Sequence, residues 1–437
     1  MERISRFIST ISPKLISWRR HFHQFPELGW TEYATTYFIG RQLEELGFTL
    51  FIGEEALVSK ARMGVPDHET LYKAEKRAQE QGVPDEWLHK MRNGHTGLVA
   101  KWDTGKEGKH IALRFDIDAL PIFENKQKVS GHFPEEEGFA SSVPSVMHAC
   151  GHDGHAAIGL GVANWIAAFQ KELTGSFTLL FQPAEEGSRG AKSMLDRGWL
   201  KDVDYFFSGH IGIQPLPLGD VVASTNGFLA TSKIDVTFTG KSSHAGVEPQ
   251  EGKNALLAAA ATAIHLHTIP RHRDGVTRIN VGTLQAGTGR NVIPDLAELT
   301  LETRGETSQL NQYMEDEAIR IIESAAAMYD VEVDIRLVGK GVEVVTKDEG
   351  EWKPFLERST EGSHRVLQIH ETMPLRASED VAYMINDVRA RGAKATYFIF
   401  GTPLAKGHHH PLFDYDERVL EVALDVYASS ILSLTLQ

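Results

Sequence analysis

Residues 147–155 read Met-His-Ala-Cys-Gly-His-Asp-Gly-His, a thiol, three imidazoles and a carboxylate within nine positions. Cys150 is the only cysteine of the 437 residues, so an intrachain disulfide is excluded. A thiolate beside imidazoles suits a borderline-soft cation. A small buried hydrophobe with locally satisfied histidines is the other reading of the same stretch. A second cluster, Gln182-Pro183-Ala184-Glu185-Glu186-Gly187, directly follows an apolar run ending at Phe181. Its proline and glycine make a turn in which neighbouring carboxylates can do different work, one binding a cation and the other holding a proton. His210 follows the run Tyr205-Phe206-Phe207, and Gly407-His408-His409-His410-Pro411 follows a run ending at Phe400. Alone, a glutamate pair or a lone histidine is an ordinary surface or core feature. Jointly the four clusters point to a metal site. Cys150, His152, Glu186, His210 and one late histidine are five donors, too many for one tetrahedral catalytic zinc that keeps a position open. Two cations sharing a ligand fit better, and such a pair lowers the pKa of a water towards neutrality.

The elements that must position these residues are legible as runs and periods. Up to about residue 225, β-rich runs at 110–114, 177–181 and 205–207 alternate with helical patterns, as in an α/β domain with a mostly parallel sheet. Ligands in such folds collect at the carboxyl ends of the strands, where these clusters lie. The middle of the chain has a different order: strand 233–239, alanine-rich helix 254–267, strands 278–284 and 297–303, helix 309–328 and strand 331–338. That βαββαβ series predicts a ferredoxin-like unit. The rest returns to helix, strand 395–400 and a last helix from Asp416. One α/β domain built from residues 1–227 and 343–437 is therefore expected, interrupted by a smaller domain at 228–342. Residues 54–91 are rich in charge with periodic leucines, which predicts helices crossing a surface rather than a core layer.

Net charge is −14, without the basic stripe that a phosphate backbone demands, so nucleic acid is not an expected partner. No run of 18 uncharged apolar residues is present to span a membrane. The N-terminal twenty residues carry charges throughout and do not read as a signal peptide. With one cysteine, a cytoplasmic setting is expected.

The motifs HACGHDGH and QPAEEG, the single histidine after Tyr205 and the late His409-x-Pro411-x-Phe413 carry a family resemblance. Together they resemble the amidohydrolase branch of the aminoacylase, glutamate carboxypeptidase and desuccinylase superfamily of dinuclear metallopeptidases. The resemblance covers nearly the whole chain and implies two divalent ions per subunit, manganese or zinc. It implies Cys150 as the bridging ligand, with His152, Glu186, His210 and His409 completing the two sites, and Glu185 as the general base. Asp116 and Asp118 would support the ligands from behind, although relatives often place a histidine ligand where Asp116 stands. The inserted domain becomes a lid and dimerisation domain. It brings His244 to a partner protomer's oxyanion, and Arg290, Asn291 and Arg304 to the substrate carboxylate. The implied reaction is amide hydrolysis of an N-acyl or aroyl amino acid, with p-aminobenzoyl-glutamate the preferred substrate and acetyl or indoleacetyl conjugates the alternative. The implied assembly is a homodimer through the lid, or a heteromer with a homologous partner chain. A non-enzymatic metal-binding protein would leave Glu185 without a task.

Overall fold

The computed structural model describes residues 2–124, 131–213, 215–345 and 349–435, and the strands in them form two sheets. In chain order these are β1 (Thr49–Ile52), β2 (Leu98–Asp103), β3 (His110–Asp116), β4 (Ser176–Gln182), β5 (Tyr205–Ile211) and β6 (Asp220–Asn226), then β7 (Ala230–Thr239), β8 (Thr277–Ala286), β9 (Leu296–Gly305) and β10 (Glu332–Gly341), and finally β11 (Gln368–Pro374) and β12 (Lys394–Phe400). The larger sheet runs β1-β2-β4-β3-β5-β12-β6-β11. Its centre, β4-β3-β5-β12, is parallel throughout. Strand β4 sends Phe177, Leu179 and Phe181 into one core and Leu180 into another on the opposite face. Burial on both faces is why these strands read as continuous apolar runs. Helices Glu2–Gln24, His152–Phe169 and Val419–Thr435 cover the first face, and Ala191–Arg197 and Ala382–Ala390 the second.

The smaller sheet is antiparallel with order β10-β7-β9-β8, the ferredoxin-like arrangement expected from the βαββαβ pattern. Helices Ala255–Leu266 and Ser308–Met328 cover one face, and alternate residues of β7 and β9 pack beneath them. The side chains between, among them Lys233, Glu302 and Arg304, therefore point the other way, towards the larger sheet's ligand end.

Residues 54–91 form helices that are exposed along most of their length and bury one stripe. Helix His68–Glu80 buries Ala74 and Ala78, and helix Asp85–Lys90 buries Trp87 and Leu88, all within the main core. Their periodic apolar positions are a core-facing stripe that the surrounding charge hides.

The first helix is tied to the helix beginning at His152 by buried charges. Arg19 Nε donates to Asp153 Oδ2 at 3.0 Å, and His23 bonds Asp153 Oδ2 at 2.8 Å and Glu124 Oε1 at 3.1 Å. Burial disfavours the charged His23, but the bonds to Asp153 and Glu124 outweigh it and push its pKa up to about 9. A raised folded pKa contributes stability that is complete below about pH 6.5 and vanishes as pH climbs through about 9. His23→Gln is expected to flatten the stability-versus-pH curve over that interval, by roughly 3 kcal/mol in total. Urea titrations at pH 6 and 9.5 measure the difference.

Candidate metal centre

Backbone geometry brings the separated donors together. Gly151, in the left-handed region at φ 99°, turns the chain between Cys150 and the helix that starts at His152. The turn after β4 is held by Asp118, whose two carboxylate oxygens accept from the amides of Glu185 and Glu186 at 3.0 Å each. Glu32 accepts from the Ala184 amide at 2.8 Å, which steadies that residue at its positive φ of 51°. His210 lies inside β5, one residue from its end. Positive φ at His409 (63°) splits three neighbouring imidazoles by direction. His408 reaches the Ile211 carbonyl at 3.2 Å, His409 Nε2 lies 3.5 Å from Glu186 Oε1, and His410 turns outward to accept from the Leu412 amide.

All five expected ligands converge. One donor group is Cys150, His152 and His210; a second is Cys150, Glu186 and His409, with donor atoms within 4.8 Å of one another in each. The thiol sulfur belongs to both, the position a bridging ligand would take. Cys150 Sγ lies 3.5 Å from His210 Nε2. His152 donates from Nδ1 to the Asp118 carbonyl at 2.9 Å, and His210 from Nδ1 to the Ile211 carbonyl at 2.9 Å, which leaves each Nε2 facing the cluster. His155, the third imidazole of the motif, is committed elsewhere: Nδ1 donates to Asp116 at 2.5 Å and Nε2 accepts from the Ile211 amide at 3.0 Å. Asp116 also takes Arg114 at 2.6 Å, and its Oδ1 lies 3.8 Å from His152 Nε2.

The donor set fits a pair of cations. His152 Nε2 is buried without a hydrogen-bond partner, a cost of about 1–3 kcal/mol unless a cation meets it, and Glu186 Oε1, likewise without a hydrogen bond, has His409 Nε2 at 3.5 Å as its counter-charge. Burial and the charge of Glu186 push the Cys150 thiol above its usual range, so the sulfur needs an adjacent cation to ionise. Glu185 Oε2 lies 4.0 Å from His152 Nε2. Burial, then the nearby Glu379, Glu186 and Asp380 carboxylates, hold its carboxyl well above the ordinary range.

A cavity of about 350 Å³ opens over this cluster, with Cys150, Glu185, Glu186, His210 and His409 in its wall. Arg304 lies in the same wall, paired with Glu302 at 3.0 Å, and Lys233 beside it shares that one carboxylate. His244, Arg290 and Asn291 are not part of it. They sit exposed and close together on two lid loops, where His244 bridges Val292 and the Ala245 amide donates to the Asn291 carbonyl at 3.0 Å.

Sequence reasoning missed Arg114, Glu379 and Asp380. Arg114 contacts Asp116, Glu379 and Asp380, and Asp380 also accepts from the Gly190 and Ala191 amides at 3.0 and 2.8 Å. The signal that could have found them was Arg114 itself, a charge in the middle of a strand that is apolar on both faces.

Residues 112–433 match the peptidase family M20/M25/M40. The chain is 44% identical to a p-aminobenzoyl-glutamate hydrolase subunit of Escherichia coli (strain K12), over 99% of this chain and 98% of that protein. It is 43% identical to indole-3-acetyl-aspartic acid hydrolase of Enterobacter agglomerans, over 100% and 99% respectively. Among solved structures it is similar to a Bacillus subtilis protein described as a dinuclear metal binding peptidase from the M20 family, with a TM-score of 0.62, 26% identity, and coverage of 98% of this chain and 99% of that one. Donor cluster, profile and relatives agree, and this chain is a metal-dependent hydrolase that belongs to the peptidase family M20/M25/M40.

Proposed function

We propose that this hydrolase cleaves the amide bond of N-aroyl amino acids, with p-aminobenzoyl-glutamate its substrate and p-aminobenzoate and glutamate its products. The observation that carries the reading is the shared placement of Cys150 in two donor groups with Glu185 beside them. We assign Cys150 as bridging ligand and His152, Glu186, His210 and His409 as the remaining ligands. When bound, two divalent cations supply Lewis acidity for the scissile carbonyl and an acidified water. Manganese or zinc suits the mixed sulfur, nitrogen and oxygen donors. Glu185 takes the proton of the attacking water and returns it to the leaving nitrogen. Arg304 receives the substrate carboxylate as a planar two-point donor, exchanging Glu302 for it. Asp116 and Asp118 hold the turn and the imidazoles in place, and His244, Arg290 and Asn291 serve the site of a neighbouring protomer.

Lid pairing is supported by β8, an edge strand that carries exposed Leu284, and by exposed Leu257 and Ile264 on the adjoining helix. The partner is a second copy or a homologous chain, since the Escherichia coli relative is named as one subunit of its hydrolase. A cytoplasmic setting suits a chain whose one cysteine must stay reduced to serve as a ligand. Among the described residues no helix is long and apolar enough to cross a membrane.

The second reading, indole-3-acetyl-aspartate as substrate, is favoured by the 43% identical relative and keeps every catalytic assignment. A hydrolysis panel on protein loaded with manganese or zinc separates the two. p-Aminobenzoyl-glutamate is expected to have the highest kcat/KM among it, indole-3-acetyl-aspartate and N-acetyl-glutamate. No turnover of any conjugate with cation bound would overturn the hydrolase assignment.

A further inference from the structure

A second cavity, of about 600 Å³, adjoins the first and shares Glu186, Gly187 and Lys233 with it. One side of its wall is apolar: Leu28, Ala119 and Leu120 from the larger domain, Val338 from lid strand β10, and Val65 and Pro66 from the charged insertion. Its rim is charged: Arg336, Lys233 and Arg189 line it together with Asp67, Asp235 and Glu186, and each cation has a carboxylate or carbonyl partner. Arg336 pairs with Asp235 at 3.8 Å, Lys233 with Glu302, and Arg189 donates to the carbonyls of Glu186 and Gly64 at 2.7 and 3.2 Å.

The insertion's part of this wall is fixed by specific contacts. Trp30 Nε1 donates to the Met63 carbonyl at 2.8 Å. Gly64 adopts φ 54°, and a Cβ there would lie 2.5 Å from the Val338 carbonyl oxygen, so its backbone packs directly against the lid. Arg189 links Gly64 to the very turn that presents Glu186. Val65, 36% exposed, is left facing the cavity.

We propose that residues 63–66 of the insertion wall an acyl-group pocket and set which acyl groups the enzyme accepts. This rests on the hydrolase reading above. An N-acyl amino acid has one charged end and one apolar end, and two cavities meet at Glu186. Arg304 shares its cavity with the donor cluster and takes the carboxylate end there, and the apolar side of the adjoining cavity takes the acyl group, here an aromatic ring packed on Val65 and Leu120. A volume of about 600 Å³ exceeds what an acetyl group fills and suits a ring.

Val65→Trp, on a side chain that is 36% exposed and lines the cavity, narrows the pocket. Against p-aminobenzoyl-glutamate its kcat/KM is expected to fall about tenfold or more, and against N-acetyl-glutamate by less than about twofold. Inhibition by free p-aminobenzoate should weaken in parallel while that by free glutamate stays as in the wild type. Val65→Ala, which widens the wall, should shift the preference towards the larger indole-3-acetyl group. An equal loss on both substrates, or unaltered p-aminobenzoate inhibition, would overturn the pocket assignment while leaving the hydrolase reading intact. A wild-type protein that cleaves no conjugate would remove both.

Discussion

Glu185→Gln is expected to keep about two equivalents of cation per chain while kcat falls by about a hundredfold to ten-thousandfold. The substitution preserves the shape of a side chain whose backbone amide is pinned by Asp118 at 3.0 Å, so the turn presenting Glu186 should survive. What disappears is the oxygen that accepts a proton. Cys150→Ala is the complementary case. Its sulfur belongs to both donor groups, so removing it should weaken both cation sites and abolish activity together with metal content. Glu185 also lies within donor distance of His152 and Glu186, which makes the comparison informative. Metal analysis alongside single-turnover kinetics of the two variants checks it. Equal loss of cation from both would make Glu185 a ligand and leave the proton transfer to another group, such as Glu379 or Asp380 beside it.

Legibility of the fold followed burial. Strands β3, β4, β5 and β12 lie at the sheet centre and read as apolar runs, and the lid's strands alternate cleanly because helices cover just one face. Strand β11 escaped the sequence because it is the outer strand, half-exposed along its length, and its Gln-Ile-His-Glu-Thr-Met-Pro carries neither a run nor a clear alternation. The candidate ligands were legible for a different reason: four clusters of cysteine, histidine and glutamate each follow a strand, and their joint siting signals a metal site where no single one does. The groups that brace them are not local. Arg114 and Asp380 are separated by 266 residues, and nothing near either one announces the other. Residues 54–91 show the same limit in reverse. Their charge is local and visible, whereas the contacts of Gly64 with Val338 and Arg189 depend on how the lid returns to the body.

His244→Ala is expected to lower kcat by about a hundredfold to a thousandfold, the cost of losing one donor to a developing oxyanion, with cation content unchanged. Within its own chain His244 is exposed, bridges Val292 and lies outside the wall of the metal cavity. A catalytic effect of that size from such a position requires a second protomer to supply the site. The arrangement can be tested by mixing. In a dimer of one His244→Ala chain and one Glu185→Gln chain, one site receives an intact Glu185 from the first and an intact His244 from the second. Refolding the two variants together should restore roughly a quarter of wild-type activity, since half the dimers are mixed and each holds one complete site of two. Each variant refolded alone should stay at its own low level. A mixture no more active than its parents would assign His244 to its own chain's loop, as a turn residue bonded to the Gly246 amide at 3.2 Å, and would remove the lid's exposed face from the catalytic cycle.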